Sequence, residues 1–369
     1  MPSFVLDRND VLPHLNIMKS VVSGKSFGDY EYVMFRLLNN QGELELSVQN
    51  QTSLYSCIVP SIIVGAEGIT EWAVDFKIFS NIINYTGGNQ VKVLVEDNEC
   101  QFLYDKLRVK SAILNKECVF DREDKSLASP LMSDSIYRIS PYFSQLILAA
   151  DANLFSRDNV VWFDKKSVFC TDGFRMNLYR NDKFNFETSF CISTTTASII
   201  DMICQRQGNT EFDCVLNGDD IVVSGNNYYY SSNILLYDIP QYEYMSTFNR
   251  NFVLKVNRDE FYKNMPYVRL VVDKEQNEKV TVTMPTDTNV CIIKAKNEVG
   301  SCEAAIFNDI KFDKQVSFEV QYKHLIDCLS SIKTNDVVIA FSDDVAIPVL
   351  FTSSDENAVQ QYVCRLDED

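Results

Sequence analysis

The feature that most constrains this chain of 369 residues is an internal repeat with a period of about 120 residues. Each copy opens with a short run of alternating apolar residues, which predicts a strand, and continues with apolar residues at helical spacing. The opening strands are predicted at residues 3–6, 136–139 and 252–256. A repeat of this kind predicts three similar domains, and a single domain with accidental strand–helix similarity is the alternative. The predicted domains are residues 1–125, 134–246 and 251–369.

A first helix is predicted directly after each opening strand. In the first copy, Asp7 and Asn9 are candidate N-caps of that helix. In the second copy, the helix is predicted to begin at Pro141, because proline is favoured in the first helical turn. In the third copy, Pro266 is predicted to kink the helix.

The second half of each copy predicts another strand, a second helix and a hairpin. Paired apolar residues 117 and 126 positions apart mark the three helices: Ile82-Ile83, Ile199-Ile200 and Leu325-Ile326. Hairpin signals follow at residues 96–98, 217–220 and 342–344. Two helices and about eight strands per copy predict an α+β unit whose helices cover one face of a sheet. The polar stretches 121–133 and 244–251 are predicted connectors.

The composition restricts the class of protein. Apolar residues make up 46% and charged residues 23%, a balance typical of globular domains. Apolar runs are too short to span a bilayer, and Asp7, Arg8 and Asp10 interrupt any export signal, so a cytoplasmic location is predicted. The eleven cysteines form an odd set without a CxxC pair and are predicted to be reduced and mostly buried. His14 and His324 neighbour no cysteine pair and are assigned surface or packing roles, so neither a metal nor another cofactor is predicted.

The distribution of charge points to a possible nucleic-acid surface. A net charge of −17 argues against a protein that covers nucleic acid with its whole exterior. The six predicted helical segments together carry +4, which leaves −21 on the rest of the chain. A mildly basic helical lining inside an acidic shell requires such an asymmetry, and it would attract phosphates without sequence preference. Ordinary helix surfaces with Lys and Arg would produce the same asymmetry.

One short motif and its neighbours resemble a known family. The segment Val168-Phe169-Cys170-Thr171-Asp172-Gly173-Phe174-Arg175-Met176 resembles the (V/A)ATDGHRLA stretch of bacterial sliding clamps, the β subunit of DNA polymerase III. Residues 237–242 resemble the family's G.FPDY turn before the third domain, and residues 347–350 and 361–363 resemble its SPVLI…YVVMPMR ending. Length, acidity and element order follow the family from end to end. Taken alone, Thr171-Asp172-Gly173 could equally be an ordinary tight turn.

The resemblance implies a clamp fold in which each domain places two helices against two small antiparallel sheets. It implies a head-to-tail homodimeric ring that encircles double-stranded DNA without sequence preference, slides along it and tethers a polymerase. It also implies DNA contacts by Lys25 and by the loop that contains Ser156 and Arg157. With the cations of the predicted helices, the expected DNA-binding set is Lys19, Lys25, Lys77, Ser156, Arg157, Arg206, Lys263 and Arg269.

The resemblance further implies a hydrophobic cleft on the second and third domains, which receives short peptides from polymerase, clamp loader and repair proteins. Carried over position by position, its residues are Thr171, Gly173, Phe174, Arg175, Met176, Pro240, Tyr244, Met245, Pro348, Val363, Cys364 and Arg365. Apolar walls would bind an apolar anchor, while Thr171, Arg175 and backbone groups fix its orientation. Phe174 stands where the family has His, and Cys364-Arg365-Leu366 replaces Met-Pro-Met before the acidic residues 367–369. This divergence, with many cysteines and tyrosines, suggests a phage or a distant bacterial lineage.

Sequence motifs for catalysis are absent. No Walker loop, GxGxxG, HExxH or GxSxG motif occurs, so the chain is predicted not to be an enzyme. The main alternative is a metal-dependent phosphoryl-transfer enzyme or nuclease that uses acidic pairs such as Asp219-Asp220 or Asp343-Asp344. A further alternative is a clamp-fold protein that binds partners without closing a ring.

Overall fold

The computed structural model describes residues 3–23, 31–38, 42–64, 71–85, 87–96, 98–114, 130–150, 158–207, 212–272, 278–355 and 358–366. The chain divides into two compact units. The first unit comprises residues 1–141 and 195–234, and the second comprises residues 142–194 and 235–369. The middle third of the sequence therefore contributes to both units, and the division into three domains stays a prediction.

The described ranges contain seven α-helices. They are α1 (Arg8–Val22), α2 (Phe76–Tyr85), α3 (Pro130–Ile139), α4 (Phe143–Leu146), α5 (Thr194–Gln207), α6 (Arg258–Arg269) and α7 (Tyr322–Ser331). Short 3₁₀ turns cover Ser140–Tyr142, Ile147–Ala149 and Glu243–Ser246.

Twenty-three strands are described in the same ranges. The first third contains β1 (Ser3–Asp7), β2 (Tyr32–Leu38), β3 (Glu43–Gln49), β4 (Ser53–Val64), β5 (Glu71–Asp75), β6 (Gln90–Glu96), β7 (Glu99–Tyr104) and β8 (Leu107–Ala112). The middle third contains β9 (Val160–Asp164), β10 (Ser167–Thr171), β11 (Arg175–Arg180), β12 (Phe190–Ser193), β13 (Asp213–Asn217), β14 (Asp220–Ser224) and β15 (Tyr228–Asn233). The last third contains β16 (Phe252–Asn257), β17 (Lys279–Met284), β18 (Val290–Lys296), β19 (Ser301–Phe307), β20 (Val316–Gln321), β21 (Asp336–Phe341), β22 (Val349–Ser353) and β23 (Gln360–Val363).

The first unit is built on one antiparallel sheet that joins two thirds of the sequence. Its strand order is β13-β14-β15-β4-β1-β6-β7-β8, with β2, β3 and β5 attached beside β4. The joint is the pairing of β15 with β4, where Tyr230 lies opposite Tyr55. Aromatic rings fill the core beneath the sheet, since Trp72 stacks on Phe4 at 4.9 Å and on Phe35 at 5.0 Å.

The second unit contains two antiparallel sheets. The larger has the order β12-β9-β10-β11-β23-β22-β21-β16 and the smaller has the order β19-β18-β17-β20. In the larger sheet β11 pairs with β23, which places Arg175 opposite Val363. This α+β arrangement of antiparallel sheets and few helices confirms the predicted fold class, and the pairing also shows that a sheet continues from the middle third into the last.

Side-chain caps explain why helices begin where strands end. The carboxylate of Asp7 accepts a hydrogen bond from the Asn9 backbone N–H at 2.8 Å, so Asp7 rather than Asn9 caps α1. Asn257 caps α6 in the same way through the Glu260 N–H at 2.9 Å. Helix α6 continues through Pro266 to Arg269, so this proline does not end the helix.

The predicted opening strand at residues 136–139 is wrong, because these residues belong to α3. Met132, Ile136 and Ile139 are buried at helical spacing, and Arg138 forms an i,i+4 ion pair with Asp134 at 2.6 Å. The predicted connector 121–133 is also wrong at its end, because α3 already begins at Pro130; residues 115–129 lie outside the described residues.

The predicted helix beginning at Pro141 is wrong as well. The chain instead forms a 3₁₀ turn over Ser140–Tyr142, the single turn α4 and a second 3₁₀ turn over Ile147–Ala149. Phe143, Leu146 and Ala149 are completely buried at intervals of three residues, which suits the three residues per turn of a 3₁₀ helix.

The described cysteines are free thiols, and all are buried except Cys302 and Cys364, which are partly exposed. The prediction of reduced and mostly buried cysteines is confirmed for them, while Cys118 lies outside the described residues. Among the described residues, no helix has the length and apolar character needed to cross a bilayer.

Candidate functional site

A tight turn joins β10 to β11 at the motif that resembles sliding clamps. Gly173 has φ +89°, which a residue with a side chain rarely adopts. The carboxylate of Asp172 accepts hydrogen bonds from the backbone N–H groups of Phe174 and Arg175, both at 2.9 Å. The Thr171 hydroxyl donates to the Arg175 carbonyl at 2.7 Å and accepts from the Gly173 N–H at 3.1 Å. The turn is therefore internally bonded, and it leaves the Phe174 ring 68% exposed.

The Arg175 side chain lies beneath this turn and is only 4% exposed. Its Nε donates to Asp172 at 2.8 Å, and its Nη1 donates to Asp327 of α7 at 2.5 Å. Burial by itself would lower the pKa of Arg175, but hydrogen bonds from the guanidinium to the Asp327 and Asp172 carboxylates outweigh it and raise the pKa. His324 precedes Asp327 by three residues, and burial, followed by the Arg175 charge, lowers the pKa of His324 to about 4. The guanidinium thus connects the turn to α7, next to a neutral imidazole.

Strand pairing places the C-terminal segment beside the turn. Met176 lies opposite Tyr362 in the β11–β23 ladder, and the Cys364 N–H donates to the Phe174 carbonyl at 2.8 Å. Arg365 donates to the carbonyls of Ser342 at 2.8 Å and Ser317 at 3.2 Å. The structure therefore brings the predicted cleft residues of the middle third next to those of the C-terminus.

A cluster of buried aromatic and apolar side chains forms the floor of this region. Tyr242 stacks on Phe169 at 4.3 Å, and Trp162 stacks on Phe169 at 5.5 Å. Ile239, Met245 and Leu350 pack against this cluster but stay partly accessible. Accessible apolar side chains above a rigid floor are suited to bind an apolar ligand group.

The turn and the C-terminal segment form two walls around this floor, and the connector after β15 forms the third. Tyr244 lies in the 3₁₀ turn Glu243–Ser246 and is 45% exposed. Arg250 donates to the carbonyls of Pro348 at 3.1 Å and Met245 at 3.2 Å, and its guanidinium lies 5.1 Å from the centre of the Tyr362 ring. Pro240 and Pro348 are buried in this wall. We call the region formed by the turn 171–176, the connector 240–250 and residues 348–366 the cleft.

Two residues that organise the cleft, Asp327 and Arg250, are not predicted from the sequence. Asp327 bonds Arg175 across 152 positions, and no spacing or motif predicts such a distant pair. Arg250 was visible as a charge in a predicted connector, but its carbonyl partners belong to separate segments that only folding brings together.

The predicted DNA-binding residues lie in several environments. Lys19 on α1, Lys77 on α2 and Lys263 and Arg269 on α6 are exposed. Lys25, Ser156 and Arg157 lie outside the described residues.

Arg206 on α5 differs from the other helix cations because it is half-buried against His14. Its Nη2 contacts His14 Nε2 at 2.8 Å, Nη1 contacts Nδ1, and the Tyr55 hydroxyl lies 2.5 Å from the same Nδ1. Burial and then the Arg206 charge lower the pKa of His14 to about 3, so the imidazole is neutral. His14 thus has the packing role assigned to it, with two polar partners that the sequence did not reveal.

The acidic pairs considered for metal chemistry serve as turn residues. Asp220 accepts from the Asn233 amide at 2.7 Å, and Asp343 pairs with Lys314 at 2.9 Å. Within the described residues, no group of three or more His, Cys, Asp or Glu side chains is placed to hold a metal ion.

Comparison with known proteins gives structural but not sequence matches. No protein-family model matches the chain, and no curated protein matches it. Among solved structures, the β subunit of DNA polymerase III from Thermotoga maritima aligns with a TM-score of 0.83 at 14% identity, and the β chain from Streptococcus pneumoniae aligns with 0.82 at 16%. A sliding clamp from Pseudomonas aeruginosa bound to griselimycin aligns with 0.83 at 13%. Each alignment covers 100% of both chains. The chain therefore has, over its whole length, the fold of the bacterial DNA polymerase sliding clamps.

Proposed function

We propose that the protein is a non-enzymatic DNA sliding clamp, a head-to-tail dimeric ring that encircles duplex DNA and tethers a polymerase through the cleft. The observation that carries this proposal is the full-length structural likeness to DNA polymerase III β subunits, an alignment that spans both halves of the cleft in one chain. The internal repeat supports it, because a closed ring is most simply built from equivalent modules.

Two of the strands that end a sheet support the head-to-tail ring. In the described ranges, β8 and β19 each pair with a strand on one side only. Leu107 on β8 is 64% exposed, Phe307 on β19 is 59% exposed, and Leu270 at the end of α6 is 78% exposed. Unpaired edges with exposed apolar side chains are sites at which another chain can pair. Of these two edge strands, one belongs to each unit, so pairing β8 of one copy with β19 of the next, twice, would close a ring.

The exposed helix cations support DNA binding. Lys19, Lys77, Lys263 and Arg269 project from helices of a chain whose net charge is −17. Phosphates bind such isolated cations without reading sequence, which is the requirement for a protein that slides. Lys25, Ser156 and Arg157 belong to the same proposal from the family resemblance.

The cleft supports partner tethering. Its exposed Phe174 and Tyr244 rings and its partly accessible floor can accept the apolar side chains of a short peptide. The peptides would come from the polymerase, the clamp loader and other DNA-processing proteins, as they do in the family that the sequence resembles. A cytoplasmic location and a phage origin remain proposals of the same resemblance.

The oligomeric state is the first test of the ring. Light scattering should give twice the mass of the chain at micromolar concentration. Leu107→Asp should shift the protein to a monomer, because it places a carboxylate at the proposed edge. Ile62→Asp is the matched control, since Ile62 is 62% exposed on β4, which lies four strands away from β8 in the same sheet. A wild-type monomer would leave a clamp-fold protein that binds partners without a ring.

Encirclement is tested by topology. After loading, the protein should stay on nicked circular DNA in high salt and leave once the circle is linearised. Equal retention on circular and linear DNA would contradict encirclement and favour ordinary surface binding.

A further inference from the structure

The strands that open the first and third copies of the repeat occupy equivalent positions in their own units. β1 leads into α1 and pairs antiparallel with β6, and β16 leads into α6 and pairs antiparallel with β21. The strand–helix junctions also match. The Arg8 N–H donates to the Asn89 carbonyl at 2.6 Å, and the Arg258 N–H donates to the Asn335 carbonyl at 2.7 Å. The surroundings of β1 and β16 can therefore be compared position by position.

The neighbour on the other side of the opening strand differs between the two copies. In the first copy, residues 61–64 of β4 pair with residues 3–6 of β1. In the third copy, the chain after β19 makes a single bridge, from Asn308 to Val256, and β16 ends its sheet. Within the described ranges, residues 252–255 therefore pair with β21 alone. We call the unfilled strand position beside them the open slot.

Asn308 explains why the chain leaves β16 after one bridge. Its Oδ1 accepts a hydrogen bond from the Ile310 N–H at 2.7 Å, and its own N–H donates to the Asn289 carbonyl at 2.9 Å. An asparagine side chain that bonds the backbone two residues ahead forms a turn in place of a continued strand. Because Asn308 is only 1% exposed, this turn is fixed within the fold and keeps the slot open.

A groove of about 560 Å³ lies along the open slot. Its walls are residues 251–253, at the start of β16, and residues 310–314, after the Asn308 turn. Val253 is 45% exposed and Ile310 is 37% exposed, so each wall presents an accessible apolar side chain. An unpaired strand edge beside accessible apolar side chains is suited to bind an extended peptide segment.

We propose that the open slot is a docking site for an extended, uncharged segment of a partner protein, which joins the sheet as an antiparallel strand beside β16. The first copy shows the chemistry that fits, because its slot is filled by Ser61-Ile62-Ile63-Val64. This segment is uncharged and rich in β-branched side chains, which favour strands. The open slot shares no residue with the cleft, so the inference does not depend on the proposed function.

The charges of the groove walls agree with an uncharged ligand. Lys314 is paired with Asp343 at 2.9 Å, so its charge is balanced within the fold. The other charged residues of the walls are Lys311 and Asp313, which have opposite signs. A charged segment would gain no net attraction from such walls, whereas an uncharged one can form backbone hydrogen bonds and apolar contacts.

The test uses a fluorescent peptide with blocked ends that carries the sequence of residues 59–64, Val-Pro-Ser-Ile-Ile-Val, and a polyethylene glycol tail for solubility. Fluorescence anisotropy with the full-length protein should show saturable binding. A second peptide with Ile63→Pro should bind at least about tenfold more weakly, because proline lacks the N–H that a ladder requires. Equal binding of the two peptides would overturn strand addition, and absence of saturable binding by the first would overturn the docking site.

Two protein variants locate the binding. Val253→Asp and Ile310→Asp each place a carboxylate in one wall of the groove. Both residues are partly exposed, so the variants should fold, and circular dichroism checks this. Each variant should weaken peptide binding about tenfold, because the bound peptide would desolvate an unpaired charge. Unchanged affinity in either variant would overturn the assignment to the slot.

Val299→Asp is the matched control for these variants. Val299 is 96% exposed and lies between β18 and β19, at the opposite end of β19 from Asn308. It should bind the peptide as wild type does, and an equal weakening there would overturn the location.

Light scattering without peptide distinguishes a partner protein from a second copy of the chain. Val253→Asp should have the same mass in solution as wild type, because the proposed occupant is a different protein. A lower mass would overturn the proposal, since it would show that the slot is filled by another copy.

Discussion

The cleft and the helix surfaces both carry positively charged side chains, but those of the cleft are bonded within the fold and those of the helices are exposed to water. In the cleft, Arg175 is 4% exposed and bonded to two carboxylates, so its charge is neutralised within the fold. On the helices, Lys263 and Arg269 are exposed in water, where their charge is free to attract phosphates. The number of cations in a segment therefore does not show whether that segment binds an anion. Burial and internal hydrogen-bond acceptors decide whether a charged side chain can contact a ligand.

Arg206 is the instructive exception among the helix cations. It lies on a helix, yet its guanidinium contacts the buried His14 ring. In this respect it resembles Arg175 and Arg250 in the cleft more than Lys19 or Lys77. A contact between Arg206 and DNA remains a prediction, and it would have to compete with this internal contact.

The largest effect is expected from removing a buried cleft cation. Arg175→Met leaves the Asp172 and Asp327 carboxylates without their cation and should lower the free energy of unfolding by about 3–5 kcal/mol. Urea denaturation of the full chain, followed by tryptophan fluorescence, measures it. A decrease in the free energy of unfolding of less than about 1 kcal/mol would mean that Arg175 contributes no more than an exposed ion pair does. The proposed difference between the cleft and the helix surfaces would then be wrong.

A smaller effect is expected at His14 and depends on pH. The folded-state pKa of about 3 lies below the ordinary value of 6.5, so the unfolded chain binds the proton more tightly. Neutral His14 contributes fully to the free energy of unfolding above pH 6.5, and this contribution is lost as the pH falls toward 3. We expect the loss to be about 2–3 kcal/mol, because the folded protein can relax around the charged imidazole. Subtracting the unfolding free energies of His14→Gln from those of wild type at each pH isolates this contribution. Identical pH profiles for the two proteins would show that His14 is not held neutral by Arg206 and burial.

The helix cations should affect DNA binding but not stability. Reversing Lys263 and Arg269 to Glu should weaken binding to short duplex DNA and reduce the dependence of log Kd on log salt by about 0.9 for each phosphate that is no longer neutralised. Electrophoretic mobility shifts over a salt series measure this slope. Lys166→Glu is the control, because Lys166 is equally exposed but pairs with Asp182 in the β9–β10 region. An equal weakening in the control would mean that overall charge, rather than these helices, governs DNA affinity.

The smallest effect is expected at an exposed ion pair. Arg138→Ala removes the partner of Asp134 on α3, where both side chains are about 40% exposed, and should change stability by less than about 0.5 kcal/mol. Thermal unfolding measures it against wild type. A larger loss would show that α3 depends on this pair more than on its buried apolar face.

Much of the fold was readable from local patterns. The strand–helix transition at Asp7 carries its own cap, and the hairpin at residues 217–220 places Gly218 at φ +59°, as an Asn-Gly signal predicts. The motif around Thr171 predicted the clamp fold, and the structural comparisons confirm this prediction. These features depend on neighbours in sequence, which is why they could be read in advance.

The middle third shows where the repeat misled the prediction. Its opening segment was assigned as a strand by analogy with β1 and β16, but it forms α3. The Cys214 N–H, which a strand partner could have bonded, donates instead to the Ser133 hydroxyl at 2.8 Å. A side chain thus satisfies a backbone group at the end strand β13, and no repeat pattern reveals such a substitution.

The amino-acid sequence by itself determined the repeat, the alternation of strands and helices, the caps and the excess of negative charge, because each depends on composition or on residues close together in the chain. Only the tertiary structure decided which cations can contact a ligand and which are bonded within the fold. The pairing of β11 with β23 and the bond between Arg175 and Asp327 join segments more than 150 residues apart. Burial there converts a charge that looks ready for a ligand into one that holds the walls of its own cleft.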